Sequence, residues 1–175
     1  MNLDCNLELL FQPIIIFLAR YAIFLYITYV NSVHSEYRIE RRIMQILIVE
    51  DNSMQRKILG RYFAGTEYQL FEASTAEIAF SLIAENMPEL IIADIILPGL
   101  DGVEFIKRLK AIPAYAQIPV IFLSSVSDYD IVVQALNSGA NDYITKPFNK
   151  EELLARIKLH ISLKKSQDII RKQNE

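Results

Sequence analysis

Reactive side chains follow short apolar runs at several points of the chain. In order, they are Glu50 and Asp51, Asp94, Ser124 and Ser125, and Lys146 with Pro147 behind it. Carboxylates brought close together disfavour one another's charge, and a bound cation offsets that repulsion. Mg²⁺ prefers carboxylate, water and phosphate oxygens. An Asp carboxylate can also attack phosphorus to form an aspartyl phosphate, while a lysine pairs with phosphoryl oxygens as a point charge. The pattern therefore indicates a magnesium and phosphate site.

Each of these residues also has a structural interpretation. Glu50 and Asp51 would suit the positive end of a helix dipole. Asp94 and Ser124 would suit caps or turns, and Lys146 a solvated loop. Taken singly, those interpretations are reasonable. A shared site is favoured because all of these residues occur together at the same ends of successive strands.

The intervening sequence supplies elements that could position these residues. Apolar runs predict strands at 46–49, 68–72, 90–94, 119–124 and 142–145. Helical periodicity follows each of them, with cap chemistry at Asn52-Ser53, at Ser74 or Thr75, and at Asp128, and a last helix from Glu151. The predicted stops are Gly65, Asn86-Met87-Pro88, Ile112-Pro113 and Gly139. Strands alternating with helices predict an α/β fold, a doubly wound five-stranded parallel sheet covered on both faces.

A doubly wound sheet gathers its ligands at the carboxyl ends of its strands. The reactive residues listed above all lie at such ends. The residues alone do not fix which of the two common strand orders is used.

Composition and charge limit the kinds of ligand and site that the chain can have. Among the 175 residues, 18 are basic and 21 acidic, a net charge of −3, which gives no reason to expect nucleic-acid contact. The single cysteine, Cys5, excludes an internal disulfide and a cysteine-based zinc site. The two histidines, His34 and His160, have no ligand spacing.

Residues 1–43 form an apolar extension, predicted to be helical, and three interpretations stay open. Residues 14–30 carry one charge, Arg20, and approach the length of a membrane span. Basic residues after them would place the carboxyl side in the cytoplasm. Alternatively, Met44 opens a complete domain, and the extension comes from a wrongly assigned start codon. The third interpretation is a soluble packing helix. We expect a cytoplasmic domain at 44–162, membrane-anchored if 14–30 span the bilayer.

The chain from about Met44 to His160 resembles the receiver domain of bacterial two-component response regulators. The matching segments are Ile48-Val49-Glu50-Asp51-Asn52, Asp94 through Gly102, Leu123-Ser124-Ser125, and Asp142 through Phe148. The resemblance implies a flavodoxin-like, chemotaxis-regulator-like fold with strand order 2-1-3-4-5. It also implies a signalling module that catalyses only its own phosphorylation and dephosphorylation.

The resemblance further implies a role for each site residue. Asp94 would accept a phosphoryl group from a sensor histidine kinase or a phosphotransfer protein. The implied Mg²⁺ ligands are Glu50, Asp51, Asp94 and the main-chain carbonyl of Ile96. Lys146, Ser124 and Ser125 would contact the phosphoryl group, Ser124 and Tyr143 would switch the face of helix 4, strand 5 and helix 5, and Pro147 would be a cis proline.

The resemblance also places two apolar residues, Ile96 and Val126, beside the path of hydrolytic water, so we expect slow self-dephosphorylation. Two other functions compete. One is a receiver-fold adaptor that works without phosphorylation. The other is an aspartate-based phosphatase, which usually carries a second aspartate where this chain has Ile96.

The last helix is predicted to run beyond the domain, through 163–175. Its apolar spacing is similar to a connector helix that joins a receiver to an output domain or pairs two receivers as a homodimer. The apolar residues are Leu153, Leu154, Ile157, Ile161, Leu163, Ile169 and Ile170. A frayed terminal helix is the alternative. The sequence names neither the kinase nor the output partner.

Overall fold

The computed structural model describes Tyr26 and residues 43–125 and 129–174, without the side chain of Tyr129. The chain divides into two units, Met1–Arg42 and Ile43–Glu175. Apart from Tyr26 and Ile43, the predicted extension and its candidate span at 14–30 lie outside the described residues, as do Val126 and the predicted cap Asp128. Within the described part, no helix has both the length and the apolarity to cross a membrane.

The second unit alternates five strands with five helices, as the sequence predicted. The strands are β1 (Met44–Val49), β2 (Tyr68–Ala73), β3 (Leu90–Asp94), β4 (Val120–Ser124) and β5 (Asp142–Thr145). The helices are α1 (Ser53–Phe63), α2 (Ala76–Asn86), α3 (Gly102–Ala111), α4 (Tyr129–Asn137) and α5 (Lys150–Gln173).

All neighbouring strands pair in parallel, in the order β2-β1-β3-β4-β5. The predicted fold class is confirmed. The strand order that the residues alone left open is the flavodoxin-like one, as the resemblance implied.

Two hydrophobic cores cover the two faces of the sheet. Successive strand residues point to opposite faces, so Leu47 and Val49 join one core while Ile46 and Ile48 join the other. The first core contains side chains of α2, α3 and α4, and the second contains side chains of α1 and α5. Each fully buried aliphatic side chain stabilises the fold by about 1.5–3 kcal/mol.

Polar caps fix where the helices begin. Asn52 caps α1, its side chain accepting from the backbone N–H groups of Met54 and Gln55 at 2.9 and 3.2 Å. Thr75 caps α2 and Asp101 caps α3. Asn149 caps α5, which begins one residue before the predicted start. Such caps satisfy N–H groups that lack a partner within the helix.

The last helix is continuous over 24 residues. Leu153, Ile157 and Ile161 of its first part are buried in the core shared with α1. Leu163, Ile169 and Ile170 are about half exposed. The apolar pattern that reads as one seam in the sequence is therefore divided between a buried part and an exposed part.

Candidate functional site

The strand register aligns the ends of β1 and β3. Val49 lies opposite Ala93, so Glu50 and Asp94 leave the sheet at the same level. On the other side of β3, Asp94 pairs with Leu123, and Ser124 pairs with Thr145. The Lys146 N–H bonds the Ser124 carbonyl at 2.8 Å. The predicted convergence of strand ends on one edge is thus present.

The centre of the site is the Lys146 ammonium group. Nζ donates to Asp94 Oδ2 at 2.7 Å and to Glu50 Oε2 at 2.8 Å. It also donates to the Gln55 side-chain oxygen. The three side chains of the ion-pair group are largely withdrawn from solvent: Lys146 is 13% exposed, Asp94 12% and Glu50 3%. These distances make the ion pairs charge-assisted hydrogen bonds.

Burial and ion pairing shift the pKa values of Glu50 and Lys146 in opposite directions. Burial raises the pKa of Glu50, although hydrogen bonds from Lys146 and from the Asn52 N–H act in the other direction. Burial would lower the pKa of Lys146, but the bonds to Asp94 and Glu50 outweigh it and raise that pKa above its ordinary value. The ammonium therefore stays charged.

The Asp94 carboxylate is held at both oxygens. Oδ1 accepts the Ile96 N–H at 2.9 Å, while Oδ2 accepts from Lys146. The loop after Asp94 is fixed in turn by the Gly102 N–H, which bonds the Ile95 carbonyl at 2.8 Å. A Cβ on Gly102 would lie 2.2 Å from the Asp94 carbonyl oxygen. Glycine is therefore required there by the close approach of α3.

Arg56 holds the backbone of the acidic pair. Its guanidinium donates to the carbonyls of Glu50 at 2.6 Å and Asp51 at 2.8 Å. It also lies 3.5 Å from a Glu72 carboxylate oxygen. The sequence argument missed both Arg56 and Gln55. Their position one turn into the helix that follows Glu50-Asp51 was the available signal, because the first turn of that helix borders the strand end.

The donor set fits a hard cation in its chemistry. Carboxylates and carbonyl oxygens are what Mg²⁺ prefers, and neither cysteine nor histidine lies among these residues. Glu50 and Asp94 already share one positive group, and the exposed Asp51 lies next to Glu50 in the chain. Across the described part of the chain, however, no three His, Cys, Asp or Glu side chains are grouped as a metal site.

The other predicted residues lie on β4, on β5 and in the segments that follow these strands. Ser124 is fully buried at the end of β4, and Ser125 is exposed. Tyr143 of β5 is half-buried against the core that contains side chains of α4. The Lys146–Pro147 peptide bond is cis.

A pocket of about 400 Å³ opens beside Lys146. Its lining is mostly apolar and comes from α1, from the β5–α5 connection and from Ser125 after β4. The lining residues are Gln55, Ile58, Leu59, Tyr62, Ser125, Lys146, Pro147 and Phe148.

The site is thus an acid–lysine cluster at the carboxyl edge of a five-stranded parallel sheet. The family model for the response regulator receiver domain matches residues 46–158. The chain belongs to the receiver-domain family of two-component response regulators, and the predicted resemblance is confirmed.

Known relatives agree with this assignment. The phosphate regulon transcriptional regulatory protein PhoB of Pseudomonas aeruginosa is 39% identical over 113 residues, covering 65% of this chain and 49% of the relative. Histidine kinase P4 of Formosa agariphila is 38% identical over 119 residues, covering 68% of this chain and 9% of the relative. The chain thus spans about half of a regulator such as PhoB, or less of a longer relative.

Solved structures show the same fold. The receiver domain of a signal transduction histidine kinase from Syntrophus aciditrophicus has a TM-score of 0.64 at 36% identity, covering 68% of this chain and 90% of that one. A CheY-like receiver domain protein from Methanospirillum hungatei has a TM-score of 0.65 at 27% identity, covering 71% and 98%.

Proposed function

We propose that this domain accepts a phosphoryl group on Asp94 from a histidine kinase or a phosphotransfer protein. The observation that carries the proposal is the Lys146 ammonium, bonded at once to Asp94 and Glu50 at the carboxyl edge of the sheet. This arrangement holds a carboxylate beside a fixed positive charge, where an incoming phosphoryl group would be bound. A phosphorylation-independent adaptor would not require this charge arrangement.

In the proposed transfer, an Asp94 carboxylate oxygen forms a bond to phosphorus as the bond from phosphorus to the donor's imidazole nitrogen breaks. The leaving imidazole then takes a proton from solvent. Lys146 would pair with the phosphoryl oxygens. Glu50, Asp51, Asp94 and the Ile96 carbonyl would hold Mg²⁺. When bound, the ion would neutralise charge on the transferring group.

The proposed output is a change of the face formed by α4, β5 and α5. A phosphoryl group adds about −1.5 to −2 charges and three acceptor oxygens. Ser124 and Ser125 follow one another at the end of β4 and would donate to those oxygens. Movement of Ser124 would open space toward β5, and the half-buried Tyr143 would turn inward with it. Shifting such an equilibrium from 1:99 to 99:1 takes about 5.5 kcal/mol of differential stabilisation.

The transfer is testable with a small donor. The protein is incubated with radiolabelled acetyl phosphate and Mg²⁺, beside Asp94→Ala and the control Asp101→Ala, which changes an aspartate that caps α3. We expect label in the unchanged protein and in Asp101→Ala, none in Asp94→Ala, and none after chelation of Mg²⁺. Equal labelling of Asp94→Ala would overturn the proposal.

A further inference from the structure

Gln55 belongs to the first turns of α1 and contacts the reactive centre directly. Its side-chain oxygen accepts a hydrogen bond from Lys146 Nζ. Gln55 is partly exposed, and it lines the pocket together with Pro147 and Phe148. It is thus a neutral residue bonded to the cation of an otherwise charged cluster.

The bond matters because the lysine has a limited number of donors. An ammonium group has three N–H donors and no acceptor. Glu50, Asp94 and Gln55 take all three. A phosphoryl oxygen can therefore bond Lys146 only after one of these acceptors is given up.

Of the three acceptors, Gln55 is the one most weakly attracted to Lys146. All three bonds are charge-assisted, because their donor is an ammonium group. Glu50 and Asp94 also attract Lys146 as opposite charges, whereas the amide oxygen of Gln55 is neutral. An arriving phosphoryl group would displace Gln55 before it displaces either carboxylate.

We propose that Gln55 is a positioning residue that competes with the phosphoryl group for Lys146. In the unphosphorylated protein it accepts one of the three Lys146 donors, and it must give up that donor as the phosphoryl group arrives at Asp94. Gln55 therefore slows formation of the aspartyl phosphate. This inference rests on the proposed phosphoryl transfer to Asp94.

A series of similarly sized side chains tests the competition. Gln55→Met removes the acceptor, and Gln55→Glu replaces it with an anionic one. We expect acetyl phosphate to label Gln55→Met about three- to tenfold faster than the unchanged protein, the range that one ordinary hydrogen bond sets. Gln55→Glu should be slower than the unchanged protein. Ile58→Met, on the same pocket wall and without a polar atom for Lys146, is the matched control and should label at the unchanged rate.

A second measurement needs neither phosphate nor metal. Proton exchange at Lys146 Nζ is followed by ¹⁵N NMR of lysine-labelled protein, with Ile58→Met beside it. Gln55→Met should accelerate that exchange because one acceptor is lost, and Gln55→Glu should slow it. A residue that only stabilised α1 would leave this exchange unchanged while shifting the unfolding midpoint.

The outcomes separate the two proposals. If label reaches Asp94 but all three Gln55 forms react equally fast, or if Nζ exchange is the same in all three, the competition is wrong and the phosphoryl transfer stands. If Asp94→Ala is labelled as well as the unchanged protein, the transfer is wrong, and the exchange measurement alone then decides whether Gln55 holds the lysine.

Discussion

Buried charge is the main feature at the scale of single residues. Glu50 is buried, and its carboxylate remains compatible with the fold because Lys146 and the Asn52 N–H donate hydrogen bonds to it. Removing one partner of a buried ion pair leaves an uncompensated charge, which is far more costly than a weak surface pair. Lys146 thus stabilises the buried Glu50 carboxylate before any ligand binds.

Ile96 gives a prediction about the lifetime of the phosphorylated state. Its side chain is 65% exposed beside Asp94, and it has no polar atom with which to orient water. We expect the aspartyl phosphate to persist for many minutes. Ile96→Asn should lose phosphate about fivefold faster, well below the 10²–10⁴-fold that full general acid–base catalysis supplies. A phosphate-release assay on purified phosphorylated protein measures both, and loss from the unchanged protein within seconds would refute the expectation.

Replacing Gly102 with alanine is expected to change the free energy of unfolding in the direction opposite to the usual one for a helix. Alanine normally stabilises a helix relative to glycine. At Gly102, however, the new Cβ would meet the Asp94 carbonyl oxygen, so we expect Gly102→Ala to lower the free energy of unfolding by about 1–3 kcal/mol.

Gly60, inside α1, is the matched control for Gly102. Its Cβ would have a nearest neighbour at 4.0 Å, so Gly60→Ala should raise the free energy of unfolding by about 0.5–1 kcal/mol. Urea denaturation of both variants measures the two changes in the free energy of unfolding. A stabilising Gly102→Ala would contradict the close approach of α3 to Asp94.

At the scale of elements, an ion-pair group ties β5 to α5. Both carboxylate oxygens of Asp142 accept from Arg156 at 3.0 Å, and His160 lies 3.0 Å from Oδ2. Burial by itself would raise the pKa of Asp142, but bonds from His160, the Tyr143 N–H and Arg156 outweigh it, and the pKa is lowered. The last strand and the last helix are therefore linked through one carboxylate.

The sign of the pH dependence follows from that lowered pKa. The contribution of Asp142 to stability is present above its unfolded value, near 3.8, and is lost as the pH falls through the lower folded value. Asp142→Asn should be less stable than the unchanged protein at pH 7, and the difference should shrink below pH 4. Denaturation curves across pH, with the exposed Glu85→Gln as control, measure this. If the difference in stability between Asp142→Asn and the unchanged protein stays constant down to low pH, the charge of Asp142 contributes nothing to stability.

Most element positions could be predicted from the sequence because apolar runs and caps are local signals. β1, β3 and β5 end where their apolar runs meet Glu50, the Asp94 turn and Lys146. Gln55 and Arg56 could not be predicted in the same way, since an ordinary helix surface also carries such residues. Only the register of β1 against β3 and the start of α1 bring them to Lys146 and to the acidic backbone.

At the scale of the whole molecule, the receiver unit has its own two-sided core. The family match covers residues 46–158, and the unit itself begins at Ile43. Every residue of both described cores lies within it. A chain beginning at Ile43 should therefore unfold in one cooperative transition, with Asp94 labelled as in the full chain. Calorimetry and acetyl phosphate labelling of the two chains check this, and failure of the shorter chain to fold would show that residues 1–42 contribute to the receiver.

The most direct test of the central claim is chemical identification of the modified side chain. Phosphorylated protein is treated with sodium borohydride, which reduces an acyl phosphate to an alcohol, and the digested peptides are sequenced by mass spectrometry. We predict homoserine at position 94 and an unreduced aspartate at positions 51 and 101. Reduction at another carboxylate, or none at position 94 in protein that carries phosphate, would contradict the claim that Asp94 is the phosphoryl acceptor.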